Sequence, residues 1–121
     1  DKRIYPWGNA SIENKFYKAN YIGREDGYAW LCPIDTFDEI GESPYGCSQM
    51  SGNVWEWTNS WYDKELYQKD FIDPQEGTLK SCRGGSWGST QSALRCSYRY
   101  AVIPQRMYND LGFRCAASAK E

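Results

Sequence analysis

The clearest hydrophobic pattern in this chain runs from Leu94 to Val102, where Leu94, Cys96, Tyr98, Tyr100 and Val102 alternate with Arg95, Ser97 and Arg99. A period of two sends the first set to one face of an extended chain and the polar set to the other, which predicts a half-buried strand over 94–102. Pro104 ends it by removing a ladder donor. Residues 105–110 then form a polar connection to a second short strand, 111–115, in which Leu111, Phe113 and Cys115 alternate again. The two strands are expected to pair, directly or across a third. Residues 53–58 predict a core strand with Trp55 and Trp57 in one layer. From 60 to 80 charges and rings follow no period, and Asp73-Pro74-Gln75-Glu76-Gly77 predicts a turn in a long surface excursion. The helical signal is confined to Ser11–Tyr17, with Ser11 as N-cap and Asn14 where a capping box closes.

Composition favours short elements. Eleven Gly and five Pro imply many turns, and 121 residues make one small domain or part of a larger one. Six Trp and ten Tyr in a chain of mean hydropathy −0.78 let loops bury area while keeping polar tips satisfied; such rings also line recognition surfaces. Fourteen basic and sixteen acidic residues, well mixed, leave no electrostatic footprint for nucleic acid or an anionic membrane, so neither partner is expected. No apolar run approaches the roughly 18 residues of a spanning helix. The first residues lack the basic and apolar regions of a signal peptide, and a soluble segment is expected. The five cysteines, Cys32, Cys47, Cys82, Cys96 and Cys115, include no close pair; with no histidine in the chain, structural zinc is not supported. An odd count leaves at least one thiol free or bonded outside the segment.

Three Gly/Trp-rich segments follow one another: Gly52-Asn53-Val54-Trp55-Glu56-Trp57-Thr58, Arg83-Gly84-Gly85-Ser86-Trp87 and Leu111-Gly112-Phe113-Arg114-Cys115. With Tyr5-Pro6-Trp7-Gly8-Asn9 ahead of them, the set resembles the formylglycine-generating enzyme, or sulfatase-modifying factor, family over nearly the whole chain. The resemblance implies an α+β architecture: an irregular C-type-lectin-like fold, loop-rich, with short antiparallel strands. Its Tyr-Pro-Trp-Gly-Asn motif normally sits mid-domain. Residues 1–121 are therefore expected to be the C-terminal portion of one such domain, with the N-terminal half absent, and to fold weakly alone because strand edges stay unpaired. Cys96 and Cys115 match family cysteines whose disulfide partners lie upstream.

The same resemblance implies one or two calcium ions. For the first site the ligands carried over are Asn20, Tyr21, Asp26 and Tyr28, with Gly27 letting carbonyls turn inward; read locally Asp26-Gly27 is better taken as a simple turn, and it is the matched motifs around it that favour calcium. The second site would use Gln49, Gly52, Val54 and Glu56, although Gln49 is longer than the family's usual Asn or Asp. Glu56 between two tryptophans needs a positive partner, either a cation or an arginine, Arg83 or Arg114.

Family members oxidise a substrate cysteine through two copper-binding thiols, the first of them three residues after the Ser of Gly-Gly-Ser. That position is Ser89, and no cysteine follows before Leu94. A hydroxyl neither holds Cu(I) as a thiolate does nor forms a mixed disulfide, so no copper and no formylglycine generation are expected. Ser89 lacks a histidine base for triad chemistry. The related iron enzymes of sulfur-containing betaine synthesis hold their metal by histidines, which this chain lacks. Cys82 is expected to be a packed free thiol on the strand before Arg83-Gly84-Gly85-Ser86.

Trp87, Ser89, Tyr98, Tyr100 and Tyr108 combine rings with small polar groups between 86 and 110, the mix of adaptable binding surfaces, and are the candidate contacts for a protein or small-molecule ligand. Packing on a strand face is the other reading of Tyr98 and Tyr100. The expected function is thus a non-catalytic, calcium-stabilised recognition or accessory unit. Two alternatives stand beside it: an oxidoreductase of protein cysteine completed by missing sequence or a partner chain, and a receptor resembling retroelement-diversified variable proteins. Asn9-Ala10-Ser11 fits a glycosylation sequon, and the compartment stays open.

Overall fold

The computed structural model describes residues 2–10, 17–65 and 76–119. The helix expected from Ser11 and the turn expected from Asp73 fall on residues outside that set. Among the described residues four strands form one sheet: β1 (Trp55–Trp61), β2 (Lys80–Arg83), β3 (Tyr100–Val102) and β4 (Leu111–Gly112), in the order β3-β2-β1-β4. β1 and β2 run antiparallel with Glu56 opposite Arg83 and Trp57 opposite Cys82, and β2 pairs antiparallel with β3, Cys82 facing Tyr100. β4 instead lies parallel to β1, with Trp55 opposite Leu111. The sheet is therefore mixed rather than wholly antiparallel.

Three strand expectations change. β1 starts at Trp55, not at residue 53, because Gly52 and Asn53 have φ of 83° and 68°, outside the extended region, and it continues to Trp61. The strand expected over 94–102 is two elements: Leu94 closes a 3-10 turn, Gln91–Leu94, and only Tyr100–Val102 joins the sheet. Backbone groups between them are satisfied elsewhere. Arg83 Nη1 donates to the Cys96 carbonyl at 2.6 Å and to that of Tyr98 at 3.5 Å; Cys96 N donates to Ile4 O at 2.7 Å and Tyr98 N to Arg95 O at 2.9 Å. Leu94 and Val102, the two buried ends of the alternating run, belong to different packing clusters. Beyond Gly112 the pattern also fails, since Phe113 is 77% exposed and Cys115 lies on the surface. β3 and β4 end up on opposite edges with two strands between them, so they pair neither directly nor across one strand.

The larger cluster gathers Trp55, Cys82, Ala93 and Val102, with Trp57, Tyr98 and Leu111 against it; Trp55 and Trp57 share a layer as expected. The smaller one joins Ala19 and fully buried Leu94 to Tyr5, Trp7 and Tyr21. Here the Tyr5 and Trp7 rings stack 5.0 Å apart, held by the paired Tyr5 and Gly8 backbone bonds. Cys82 is a buried free thiol on β2, as expected, and all five cysteines are free. No helix among the described residues is long and apolar enough to cross a membrane.

One buried amide ties the loops to the sheet. Asn53 Oδ1 accepts from Cys32 N at 3.0 Å and Asn20 Nδ2 at 3.3 Å, while its Nδ2 donates to Cys32 O at 3.2 Å. Its backbone N donates to Asn20 O and its carbonyl accepts from Trp87 N, each at 2.9 Å. Beside it, a Cβ on Gly52 would stand 2.4 Å from Asn20 O, so only glycine lets the two loop segments approach here. Asn53→Ala leaves buried donors and acceptors unsatisfied and is expected to lower urea stability by at least about 2 kcal/mol. Tyr45→Ala, at a side chain 87% exposed, should change it by less than about 0.5 kcal/mol. Similar losses in the two variants would show that Asn53 is not the tie. Leu94→Ala should cost about 2–5 kcal/mol in the same titration.

Candidate functional site

After Arg83 the chain leaves the sheet through Gly84-Gly85. A Cβ on Gly85 would meet Leu94 Cδ2 at 2.6 Å, and its φ of 74° favours glycine besides. The turn that follows is closed by its own hydroxyls. Ser86 N donates to Ser89 Oγ at 2.9 Å, Ser89 N to Ser86 O at 3.0 Å, and the two hydroxyl oxygens lie 3.1 Å apart. Ser86 Oγ donates to Asp110 Oδ2 at 2.7 Å, and Asp110 is anchored in turn because its carbonyl accepts from Trp55 N at 2.7 Å. This polar floor lies in a cleft of about 430 Å³ walled by Trp55, Tyr98, Tyr100 and Tyr108.

Of the five residues expected to contact ligand, Ser89, Tyr98, Tyr100 and Tyr108 meet in this cleft. Trp87 does not line it: its ring packs edge-on against Trp30 with centroids 4.6 Å apart. The Tyr98 and Tyr100 rings lie 5.9 and 5.1 Å from that of Trp55 and also line the opening, although only Tyr100 belongs to a strand. Sequence reasoning missed Ser86 and Asp110 as site residues. The available signal was a carboxylate directly before Leu111-Gly112, placed where β4 begins. No cysteine lines the cleft. Cys82 lies in the Trp55 cluster with no exposed surface, and burial pushes its thiol up to about 12.

The loop from Asn20 to Tyr28 is closed by Asp26, whose Oδ2 accepts from Tyr21 N at 3.0 Å and whose Oδ1 accepts from Tyr28 N at 2.9 Å. Asn20, Tyr21, Asp26 and Tyr28 thus belong to one tied loop. Fully buried Asn20 donates through Nδ2 to Trp30 O at 2.6 Å, yet its Oδ1 is buried without a hydrogen-bond partner. An orphaned buried oxygen is what a hard cation would satisfy. Among the described residues no group of three or more His, Cys, Asp or Glu is arranged to hold a metal, so any ion here would rest on amide, carbonyl and single-carboxylate oxygens.

Gln49, Gly52, Val54 and Glu56 line a second cleft of about 440 Å³ together with Asp35, Asp38 and Arg114. Gln49 Oε1 is also buried without a partner. Of the partners left open for Glu56, Arg114 takes it in a two-pronged pair: Nε donates to Oε2 at 2.7 Å and Nη2 to Oε1 at 2.5 Å. Arg114 donates further to the carbonyls of Ser48 and Gln49 at 2.9 and 2.8 Å. The Glu56 bond holds the Arg114 proton above its ordinary range. Arg83, opposite Glu56 in the sheet, serves the Cys96 and Tyr98 carbonyls instead.

Over residues 1–119 the chain matches the model of the sulfatase-modifying factor enzyme 1-like domain. It is 34% identical over 129 residues to the inactive C-alpha-formylglycine-generating enzyme 2 of Mus musculus, covering 97% of this chain and 37% of that protein. To the formylglycine-generating enzyme of Mus musculus it is 32% identical over 130 residues, covering 95% of this chain and 34% of that one. The chain thus spans about a third of the length of these relatives. In fold it is similar to the variable protein 1 of Treponema denticola, with a TM-score of 0.71 at 24% identity over 90% of this chain and 39% of that structure. Motif order, sheet and matches agree, and the chain belongs to the sulfatase-modifying factor enzyme 1-like domain family.

Proposed function

We propose that this domain is a non-catalytic, calcium-stabilised recognition or accessory unit that takes a protein or small-molecule ligand in the cleft between Ser86 and Asp110. The observation that carries this reading is the cleft floor, where the Ser86 hydroxyl is bonded to Asp110 and the Ser89 hydroxyl to that of Ser86. Cysteine oxidation would need paired thiols there, and a hydroxyl bonded to a carboxylate is neither a copper ligand of that kind nor a disulfide partner. The tyrosine walls supply contact area at low entropic cost. Identity to an inactive relative supports the same reading, as does the shared fold with a variable protein. We read the fold more finely as C-type-lectin-like, a small twisted sheet carrying loops longer than its strands. The comparable identity to a formylglycine-generating enzyme favours the second reading, oxidation of a protein cysteine with groups supplied by a partner chain or further sequence.

Calcium is proposed at the loop 20–28. Asn20 Oδ1, the Asp26 carboxylate and the carbonyls of Tyr21 and Tyr28 would be its protein ligands, and its charge would stiffen a loop already bonded to Asn53 through Asn20. At the second cage the Arg114 guanidinium already supplies positive charge to Glu56, so the proposal is one ion.

Incubation of the protein with a Cys-x-Pro-x-Arg peptide, copper and oxygen is expected to leave the cysteine intact by mass spectrometry; an aldehyde product would overturn the non-catalytic reading. Millimolar calcium should raise the thermal midpoint by several degrees, and chelator should reverse it. Asp26→Asn and Asn20→Ala should blunt that shift. An unchanged midpoint in the parent protein, or the same rise in both variants, would refute the calcium assignment. Cys82 should resist alkylation at pH 8 in the native protein and react only on denaturation, because its buried thiol stays protonated.

A further inference from the structure

We infer that the Ser86–Asp110 cleft selects a primary ammonium, the head group of an alkylamine or of a lysine side chain; this rests on the recognition reading above and names its ligand. The argument begins with hydrogens. An ionised carboxylate only accepts, so the single hydroxyl hydrogen of Ser86 goes to Asp110 Oδ2 at 2.7 Å. The hydrogen in the 3.1 Å contact between the hydroxyls must then come from Ser89. Ser89 Oγ already receives the Ser86 N–H, and Gly88 N donates toward Ser86 Oγ at 3.3 Å. The Thr90 and Ser92 hydroxyls lie 3.0 Å apart, one donating to the other. The Ser86 and Ser89 hydroxyl hydrogens are therefore both turned into the protein. What it offers a ligand is acceptor capacity: the remaining lone pair of Ser89 and the second carboxylate oxygen of Asp110, which has no hydrogen bond among the described residues.

The walls act in the same direction. Among the described residues no lysine or arginine lines the cleft, and it is lined by aromatic rings, whose electron-rich faces attract cations. Tyr100 and Tyr108 are 40% and 45% exposed, open enough to be reached. Arg95 stands 6.0 Å from the Tyr98 ring but lines a separate groove with Arg3 and Arg83. Among cations, donor geometry decides. A guanidinium matches a carboxylate best through two free oxygens, and Asp110 has already given one to Ser86. A quaternary ammonium has no hydrogen to offer the floor and would leave its acceptors desolvated and unpaired. A primary ammonium carries three donors at one point and fits both acceptors.

Calorimetric and NMR titrations of the protein with n-butylammonium, Nα-acetyl-lysine methylamide, the Nε-acetylated form of that derivative, tetramethylammonium and glutarate test this. The two primary ammonium probes should bind and shift the ring signals of the cleft tyrosines, whereas the other three should not. Asp110→Asn, which keeps an acceptor for Ser86, should weaken that binding by at least roughly tenfold. Tyr108→Leu, at an exposed ring, should weaken it by roughly two- to fivefold without touching the floor. Tighter binding of the lysine derivative than of n-butylammonium would assign the source to a peptide, and the reverse to a free amine. Equal binding of glutarate or of the Nε-acetylated derivative, or an unchanged affinity in Asp110→Asn, would overturn the inference. Should one of those uncharged or anionic probes fill the cleft while ammonium does not, this inference falls and the recognition reading stands. Aldehyde formation on the cysteine peptide would remove the recognition reading instead.

Discussion

The structure depends on the carboxamide of Asn53. Five hydrogen bonds from this one buried residue reach Asn20, Cys32 and Trp87, segments separated from it by 33, 21 and 34 positions. Asparagine suits the place for two reasons: its amide donates and accepts at once, and it tolerates the left-handed backbone, here φ of 68°, better than most residues. Both candidate sites hang from it. The bond from Trp87 N to Asn53 O sets where the Ser86–Ser89 turn begins. The bond from Asn20 Nδ2 to Asn53 Oδ1 commits the Asn20 nitrogen, while the Asn20 oxygen is buried without a hydrogen-bond partner.

A sheet of short strands carries loops that bond mostly to each other and to side chains. This explains an otherwise odd choice of partners. Glu56 and Arg83 face one another across β1 and β2, the usual setting for a cross-strand ion pair. Yet Arg83 caps the carbonyls of Cys96 and Tyr98, which no ladder satisfies, and Glu56 is left to Arg114 from beyond β4. Satisfying irregular backbone outranks a half-exposed ion pair, because an unbonded carbonyl costs more than such a pair contributes. The exchange clips the segment after β4 onto the Ser48 and Gln49 carbonyls.

The chemistry of the cleft follows from the same economy of donors. At the cleft floor the Ser86 hydroxyl donates to Asp110 and contacts that of Ser89, while Cys82 is buried in the Trp55 cluster with its thiol pushed up to about 12. The floor is thus built of oxygen acceptors beside aromatic rings, with no thiol among the described residues lining it. The relatives span a range that includes both a generating enzyme and an inactive form.

Much of this was legible in residue order. The Gly/Trp-rich segments carried the family, the paired tryptophans predicted a core layer, Cys82 read as a packed thiol, and four of the five expected ligand contacts do meet in one cleft. Other features were not. The apparent strand over 94–102 broke in two, β4 joined in parallel at the far edge, Glu56 chose Arg114 over Arg83, Trp87 left the cleft for Trp30, and Asp110 entered it unannounced. The division has a physical cause. Local alternation records which residues are apolar, and it marked Leu94 and Val102 for burial but also Phe113 and Cys115, which the closed chain leaves on the surface. It holds no information on which distant group satisfies a given donor or acceptor, and bonds such as Arg114 to Glu56, 58 positions apart, exist only once the chain has closed on itself.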